Sequence, residues 1–230
     1  MQKKEKRKAQ SKAPADKEIQ QQQQYSTLRE YFVATVYCTI IALFVTTYVV
    51  HPMTVPTPSM EPTILVGDRL LIDKFTYRNA FMWKTPLTPA HDIQRGDIVV
   101  FKFPEKPEVL YVKRAIGMPG ETIQIIDKTV YINGNPLDEP YTVHSDPTVF
   151  RQSRRIHFLS SNSIRDNFGP LHIPQDHFFM MGDNRDRSAD SRFWGFVNLN
   201  KVKGKAFLIY WSWGSFMRDI KWRRIGTLIR

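Results

Sequence analysis

Val109-Leu110-Tyr111-Val112-Lys113-Arg114-Ala115-Ile116 is a run of eight residues, mostly β-branched, aromatic or apolar, with no Gly or Pro inside it, and it reads as a β-strand. Side chains alternate faces along a strand, so Lys113 is expected on one face with Val109, Tyr111 and Ala115. A lysine alone among apolar neighbours is desolvated, and burial lowers a lysine pKa by roughly 3–5 units. Deprotonating an ordinary lysine at pH 7 costs about 4.6 kcal/mol, so burial supplies most of what a general base requires. The competing reading is an edge strand whose lysine head reaches past its neighbours into water.

Outward from this run, short apolar and β-branched stretches recur between Gly, Pro, Asn and Asp, which is the pattern of an antiparallel β domain. Strands are expected over residues 69–76, 97–103, 109–116, 122–126, 129–132, 177–181 and 204–211. Asn133-Gly134 marks a tight turn after Thr129-Val130-Tyr131-Ile132. Residues 140–170, within a broader excursion over about 136–174, are polar and irregular and read as a solvent-facing departure from the main sheet.

The N-terminal side is different in kind. Residues 1–30 carry eight Lys/Arg, four Asp/Glu and a Gln run at 20–24, with too little apolar content to pack; they read as a disordered cytoplasmic tail. Residues 31–50 are uncharged and nearly all apolar or Thr, long enough as a helix to span roughly 30 Å of hydrocarbon. The stretch is longer than the core of a cleavable signal peptide and lacks a small-x-small site, so it is expected to be a retained transmembrane anchor. Basic residues flank it on the N-terminal side, while residues 51–68 contain no Lys or Arg. The expected orientation is therefore N-terminus in the cytoplasm and residues 51–230 outside.

The formal net charge of +11 is concentrated in the N-terminal segment and at the C-terminal end, where Arg218, Lys221, Arg223, Arg224 and Arg230 surround Trp222. Such a distribution favours contact with a lipid bilayer. No helix-turn-helix, zinc-finger or RNA-platform pattern accompanies it, so a nucleic-acid partner is not expected. The single cysteine, Cys38, allows no intrachain disulfide, and the six histidines show no metal-binding spacing. Neither a metal nor any other cofactor is expected.

Two further stretches carry chemistry. Pro56-Thr57-Pro58-Ser59-Met60-Glu61-Pro62-Thr63 holds a serine between prolines that fix the backbone. Read locally it is better taken as a stalk lifting a domain off a bilayer, because a serine hydroxyl needs an adjacent base to become a nucleophile. Gly182-Asp183-Asn184-Arg185-Asp186-Arg187-Ser188-Ala189-Asp190-Ser191-Arg192 follows the apolar Phe178-Phe179-Met180-Met181 and packs charges of both signs into one loop. It reads as a rigid self-paired network or as an ordinary polar turn.

Four boxes in order, PTPSMEPT at 56–63, RGDIVVF at 95–101, YVKRAIGMPGE at 111–121 and GDNRDRSADSRFWG at 182–195, resemble those of the bacterial type I signal peptidases. The resemblance implies a mainly β, antiparallel catalytic domain behind one transmembrane helix, in a single-pass protein of the bacterial plasma membrane. Its implied reaction is removal of N-terminal signal peptides from secretory preproteins, which carry small residues before the cut. It further implies Ser59 as nucleophile, Lys113 as neutral general base and Ser188 as the hydroxyl that bonds and orients the lysine. The oxyanion hole would be the Ser59 N–H with the Thr57 hydroxyl, at a position where many relatives have Ser. Asp183 with Arg114, and Asp190 with Arg192, are the implied ion pairs. Met60, Ile64, Tyr111 and Val112 hold positions that would line the substrate pockets, and the peptide would add as an extended strand beside Lys113. Phe81-Met82-Trp83 and Trp211-Ser212-Trp213-Gly214-Ser215-Phe216 are candidate interfacial aromatics. Pro58 stands where relatives often have Gly. A self-cleaving Ser/Lys repressor lacks such an anchor, a silent tethered β module needs no dyad, and a reticulum-type enzyme has His in place of Lys113.

Overall fold

Strand-forming residues gather into two antiparallel sheets, with an apolar helix preceding them. The computed structural model describes residues 27–46, 50–74, 76–77, 91–150, 161–214 and 219–229. Most of the expected tail, Phe81-Met82-Trp83, Arg154, Arg155, Ser215-Phe216, Arg218 and Arg230 lie outside these residues. The chain divides into two units, Met1–Thr47 and Tyr48–Arg230.

In the first unit, helix α1, Thr27–Phe44, has 18 residues, long enough at 1.5 Å each to cross about 27 Å, and none of it is buried by protein. Thr35 and Thr39 return their hydroxyls to the carbonyls of Tyr31 and Thr35, four residues back, so neither exposes an unpaired donor. The apolar segment expected at 31–50 thus begins earlier as a helix, and its last residue is strand instead. Pro52 cannot donate to a continuing helical ladder, and Val50 pairs with Asp73.

The second unit contains β1 (Val50–Thr54), β2 (Asp68–Asp73), β3 (Ile98–Lys102), β4 (Leu110–Gly117), β5 (Thr122–Ile126), β6 (Thr129–Ile132), β7 (Asn135–Pro136), α2 (Ser161–Asp166), β8 (Phe168–His172), β9 (His177–Met181), α3 (Ser191–Trp194), β10 (Val197–Asn198), β11 (Val202–Ser212) and β12 (Thr227–Leu228). The larger sheet runs β1-β2-β11-β3-β4-β9-β10, with β12 also on β11, and the smaller runs β7-β6-β5-β8. Both are antiparallel throughout. The strands expected from the sequence are β2, β3, β4, β5, β6, β9 and β11, with ends shifted by up to three residues. Part of the excursion rejoins the fold: β8 pairs with β5, and Val143 bridges to Asn184.

The core sits on both faces of the larger sheet. In β3, Ile98 and Val100 pack with Leu70, Ile72, Val112 and Ile209, whereas Val99 and Phe101 pack with Ala115, Met180 and Val202. Residues Ile98 to Phe101 are all buried, so this strand has no solvent face and reads as a continuous apolar run. A third group, including Ile116, Ile123, Ile132 and Phe179, joins the two sheets. Strand β11 changes register between Ala206 and Leu208 and between Ile209 and Trp211, bulges that let one long strand serve β2, β3 and β12. At Gly204 a Cβ would lie 2.1 Å from the Asp73 carbonyl oxygen, so only glycine permits β2 to come this close. The turn at Asn133-Gly134 has φ of 51° and 82°, the left-handed pair that these two residues adopt most readily.

Candidate active site

Pro56 and Pro58 stiffen the chain leaving β1, and Pro58–Met60 forms a single 3-10 turn with Pro58 at its start. The turn is fixed by Glu61 N–H donating to Pro58 O, by Ile64 N–H donating to Met60 O at 2.8 Å, and by Asn184 N–H donating to Ser59 O at 3.2 Å. Ser59 is 4% exposed. As the second residue of the turn, its N–H has no acceptor inside the turn. Thr57, the residue before the turn, makes no side-chain cap bond, and its Oγ1 lies 3.4 Å from Ser59 Oγ. The Thr57 hydroxyl therefore stands beside the Ser59 hydroxyl, free of a capping role.

Lys113 comes to the same point from β4. Its Nζ is 2.5 Å from Ser59 Oγ, although 54 residues separate them in the chain. It lies opposite Val99 and 5.5 Å from the centre of the Tyr111 ring, on the face expected from strand alternation. Only 4% of it is exposed. Burial pushes the ammonium down to a pKa of about 8, against the upward pull of the Asp190 and Asp183 carboxylates and with help from Arg192. Desolvation wins because the carboxylates are themselves neutralised by arginines.

Those arginine pairs brace the loop that closes the site. Arg114 meets Asp183 through Nε–Oδ1 at 2.8 Å and NH2–Oδ2 at 2.7 Å, and Thr63 Oγ1 donates to the same carboxylate at 2.6 Å. Arg192 holds Asp190 through Nε and NH2, both at 2.8 Å, and reaches the carbonyls of Arg165 and Arg185. Gly182 N–H donates to Asp190 at 3.2 Å. Burial alone would raise the Asp190 carboxyl, but Arg192 and the Gly182 N–H together hold it low. The sequence reasoning missed the buried pair of Arg185 with Glu139, NH1–Oε2 at 2.8 Å, because Glu139 lies in the part of the chain taken for a solvent-facing excursion.

Three expectations need correction. Ser188 is buried at 5% exposure, but its hydroxyl has no geometric hydrogen-bond partner among the described residues and does not bond Lys113. It crowds Gly182 and lies beside Asp190, because the loop turns it toward the carboxylate. Met60 and Ile64 are fully buried among Val55, Leu70 and Val112 and are not among the residues that line the groove at Ser59. The 3-10 turn points Met60 inward, so these two residues support the floor from beneath.

Tyr111 and Val112 do line a groove of about 300 Å3 that opens on Ser59 and Lys113, together with Thr57, Arg187 and Ala189. The groove follows from strand pairing. β9 pairs with β4 only at Arg114, Ala115 and Gly117, so the edge of Leu110–Lys113 that faces away from β3 has no strand partner among the described residues. A free edge beside a buried hydroxyl and a buried amine is a place for an extended peptide. Arg187 and Ala189 carried no signal in the sequence beyond their place in the polar loop. The arrangement suits acyl transfer by a serine whose proton goes to a buried amine.

Comparisons with known proteins bear on the family. Residues 28–211 match the family described as signal peptidase, peptidase S26. A signal peptidase I of Pseudomonas aeruginosa is 36% identical over 196 residues, covering 75% of this chain and 69% of that protein. A signal peptidase I of Rickettsia typhi is 34% identical over 214 residues, covering 81% of each. One from Bacillus licheniformis is 32% identical, covering 84% of this chain and 94% of its own length. With a match over most of its length and the serine and lysine boxes inside it, the chain belongs to the signal peptidase family, peptidase S26, and is an enzyme of that type.

Proposed function

We propose that this enzyme removes N-terminal signal peptides from exported preproteins at the outer face of a bacterial plasma membrane, using Ser59 as nucleophile and Lys113 as general base. The observation that carries the reading is the buried Lys113 Nζ within 2.5 Å of Ser59 Oγ. The preprotein segment adds as a strand along the free edge of Leu110–Lys113, with small side chains before the cut seated near Tyr111 and Val112. Neutral Lys113 takes the Ser59 proton as Oγ attacks the carbonyl carbon, and the oxyanion is held by the Ser59 N–H and the Thr57 hydroxyl. One such donor contributes roughly 2.7–4 kcal/mol. The tetrahedral intermediate breaks its C–N bond, and the Lys113 ammonium returns the proton to the departing amine. Water, losing a proton to Lys113, then attacks the ester carbonyl, and as the C–O bond to Ser59 breaks the Lys113 ammonium returns that proton to Ser59 Oγ.

Ser188 is a positioning residue in this scheme, acting through the Asp190 carboxylate that it adjoins, and the Arg114–Asp183 and Arg192–Asp190 pairs fix the loop. The anchor is the apolar segment from residue 31, within and after α1, with residues 1–30 cytoplasmic and residues 51–230 extracytoplasmic. The basic residues before the helix and the absence of Lys and Arg from 51–68 support that orientation. The test is cleavage of a purified preprotein by the detergent-solubilised full chain: Ser59→Ala and Lys113→Ala should each abolish product while leaving circular dichroism unchanged. Turnover by a folded Ser59→Ala protein would remove Ser59 from its role.

A further inference from the structure

The groove does not end at Leu110. That side chain also borders a second cleft of about 450 Å3, with His51, Lys74, Lys102, Lys203 and Glu108 in its walls. Strand registers bring these residues together from different parts of the chain. Leu110 of β4 lies opposite Lys102 of β3, His51 of β1 lies opposite Ile72 of β2, and Lys74 follows β2 directly. Lys203 comes from the start of β11, two residues before Lys205, which opposes Asp73. Four basic side chains thus share one cleft with a single carboxylate.

The crowding acts on the groups themselves. Burial and then Lys203 lower the Lys74 ammonium, and burial, Lys74 and Lys203 lower the His51 imidazolium. Among the described residues neither Lys102 nor Lys203 forms an ion pair. A concave surface with an excess of one sign of charge focuses its field on whatever occupies it. Occupancy by an anion relieves the repulsion, and occupancy by a cation adds to it.

Continuity with the groove selects the occupant. An extended chain lying along β4 advances about 3.3 Å per residue. Leu110 is three residues from Lys113, so a peptide in the groove arrives at the cleft roughly three to five residues from the bond under attack. We infer that the cleft is a charge-selective substrate subsite, accepting an acidic side chain of the preprotein at that distance from the cut and rejecting a basic one. The inference rests on Ser59 and Lys113 being the reacting pair in the adjoining groove.

The test uses the full-length enzyme in detergent and a set of preproteins carrying Asp or Lys singly at each of the third to sixth positions before and after the cut. The wild-type protein should prefer Asp to Lys in kcat/KM by about tenfold at one of these positions, the scale of one or two partly screened charge pairs. Lys102→Gln with Lys203→Gln should bring that ratio close to one, and Lys203→Glu alone, an exposed change that leaves two lysines facing two carboxylates, should do the same. The absence of any preferred position in the wild type, or a ratio that survives the double variant, overturns the subsite. In a second arm, vesicles of phosphatidylglycerol and of phosphatidylcholine are compared for binding. Selective loss of phosphatidylglycerol binding in the double variant, without a change in the Asp-to-Lys ratio, overturns it in favour of lipid phosphate. Cleavage by Ser59→Ala at the wild-type rate defeats the catalytic reading instead, so the two failures are distinct.

Discussion

The reaction should titrate with Lys113. At its ordinary pKa of 10.5 this lysine would be neutral in roughly 0.03% of molecules at pH 7, whereas a pKa of about 8 gives roughly 9%. Burial by the strands around β4 therefore raises the active fraction about 300-fold, and a further rise of about tenfold remains between pH 7 and pH 9. The assay is kcat/KM for one preprotein across pH 6 to 10, with the fold monitored in parallel. The same burial has a stability cost with a definite sign. A lysine whose folded pKa is depressed binds fewer protons folded than unfolded between about 8 and 10.5, so stability rises with pH across that window. Below about pH 8 the penalty is complete, about 3 kcal/mol. Lys113→Met should accordingly be inactive yet more stable than the wild type at pH 6, by up to that amount, with the difference fading toward pH 10.5. A flat rate profile, or a stability difference that does not change with pH, would refute a buried lysine base.

Three other changes probe the frame. Asp183→Asn takes the only carboxylate in an ion pair with Arg114 among the described residues away from that buried guanidinium and should cost about 3–5 kcal/mol, lowering the melting temperature by roughly 10 °C. It also removes a carboxylate that raises the Lys113 pKa, so the midpoint of the rate profile should move to lower pH, and an upward shift would contradict the sign. Gly182→Ala would place a Cβ 2.3 Å from the Ser59 carbonyl oxygen and 2.4 Å from Ser188 Oγ, forcing the nucleophile's own backbone to move. A displacement of that kind should lower kcat/KM by about a hundredfold, measured on the same preprotein, and a near-wild-type rate would refute the crowding argument. Ser188→Ala should slow turnover by a smaller factor than Ser59→Ala and shift the pH midpoint through Asp190; an unchanged rate and midpoint would remove Ser188 from the site.

Much of this was legible locally. Strand alternation in 109–116 put Lys113 with Tyr111 and Ala115, because the two-residue period of a strand is a property of the backbone alone. The turn at Asn133-Gly134 and the apolar helix were likewise readable, since φ preference and helical rise need no distant partner. The boxes around Ser59, Lys113 and Asp183 named the residues, and Arg114 with Asp183 and Arg192 with Asp190 stand in contact.

What pattern could not supply was which faces meet. The inward turn of Met60, the unbonded hydroxyl of Ser188 and the pairing of Glu139 with Arg185 each depend on segments far apart in sequence. Val50 became strand because Asp73 was there to pair with it, not because its own neighbours favour extension over helix. The sequence by itself determined the kinds of side chain and the periodicity of the elements. Only the tertiary structure decided that β9 stops short on β4, leaving a free edge, and that Ser59 and Lys113 meet across 54 residues in a space too dry for an ordinary ammonium. The physical reason is that hydrogen-bond register and desolvation are non-local: each is set by what the rest of the chain excludes or supplies at that point.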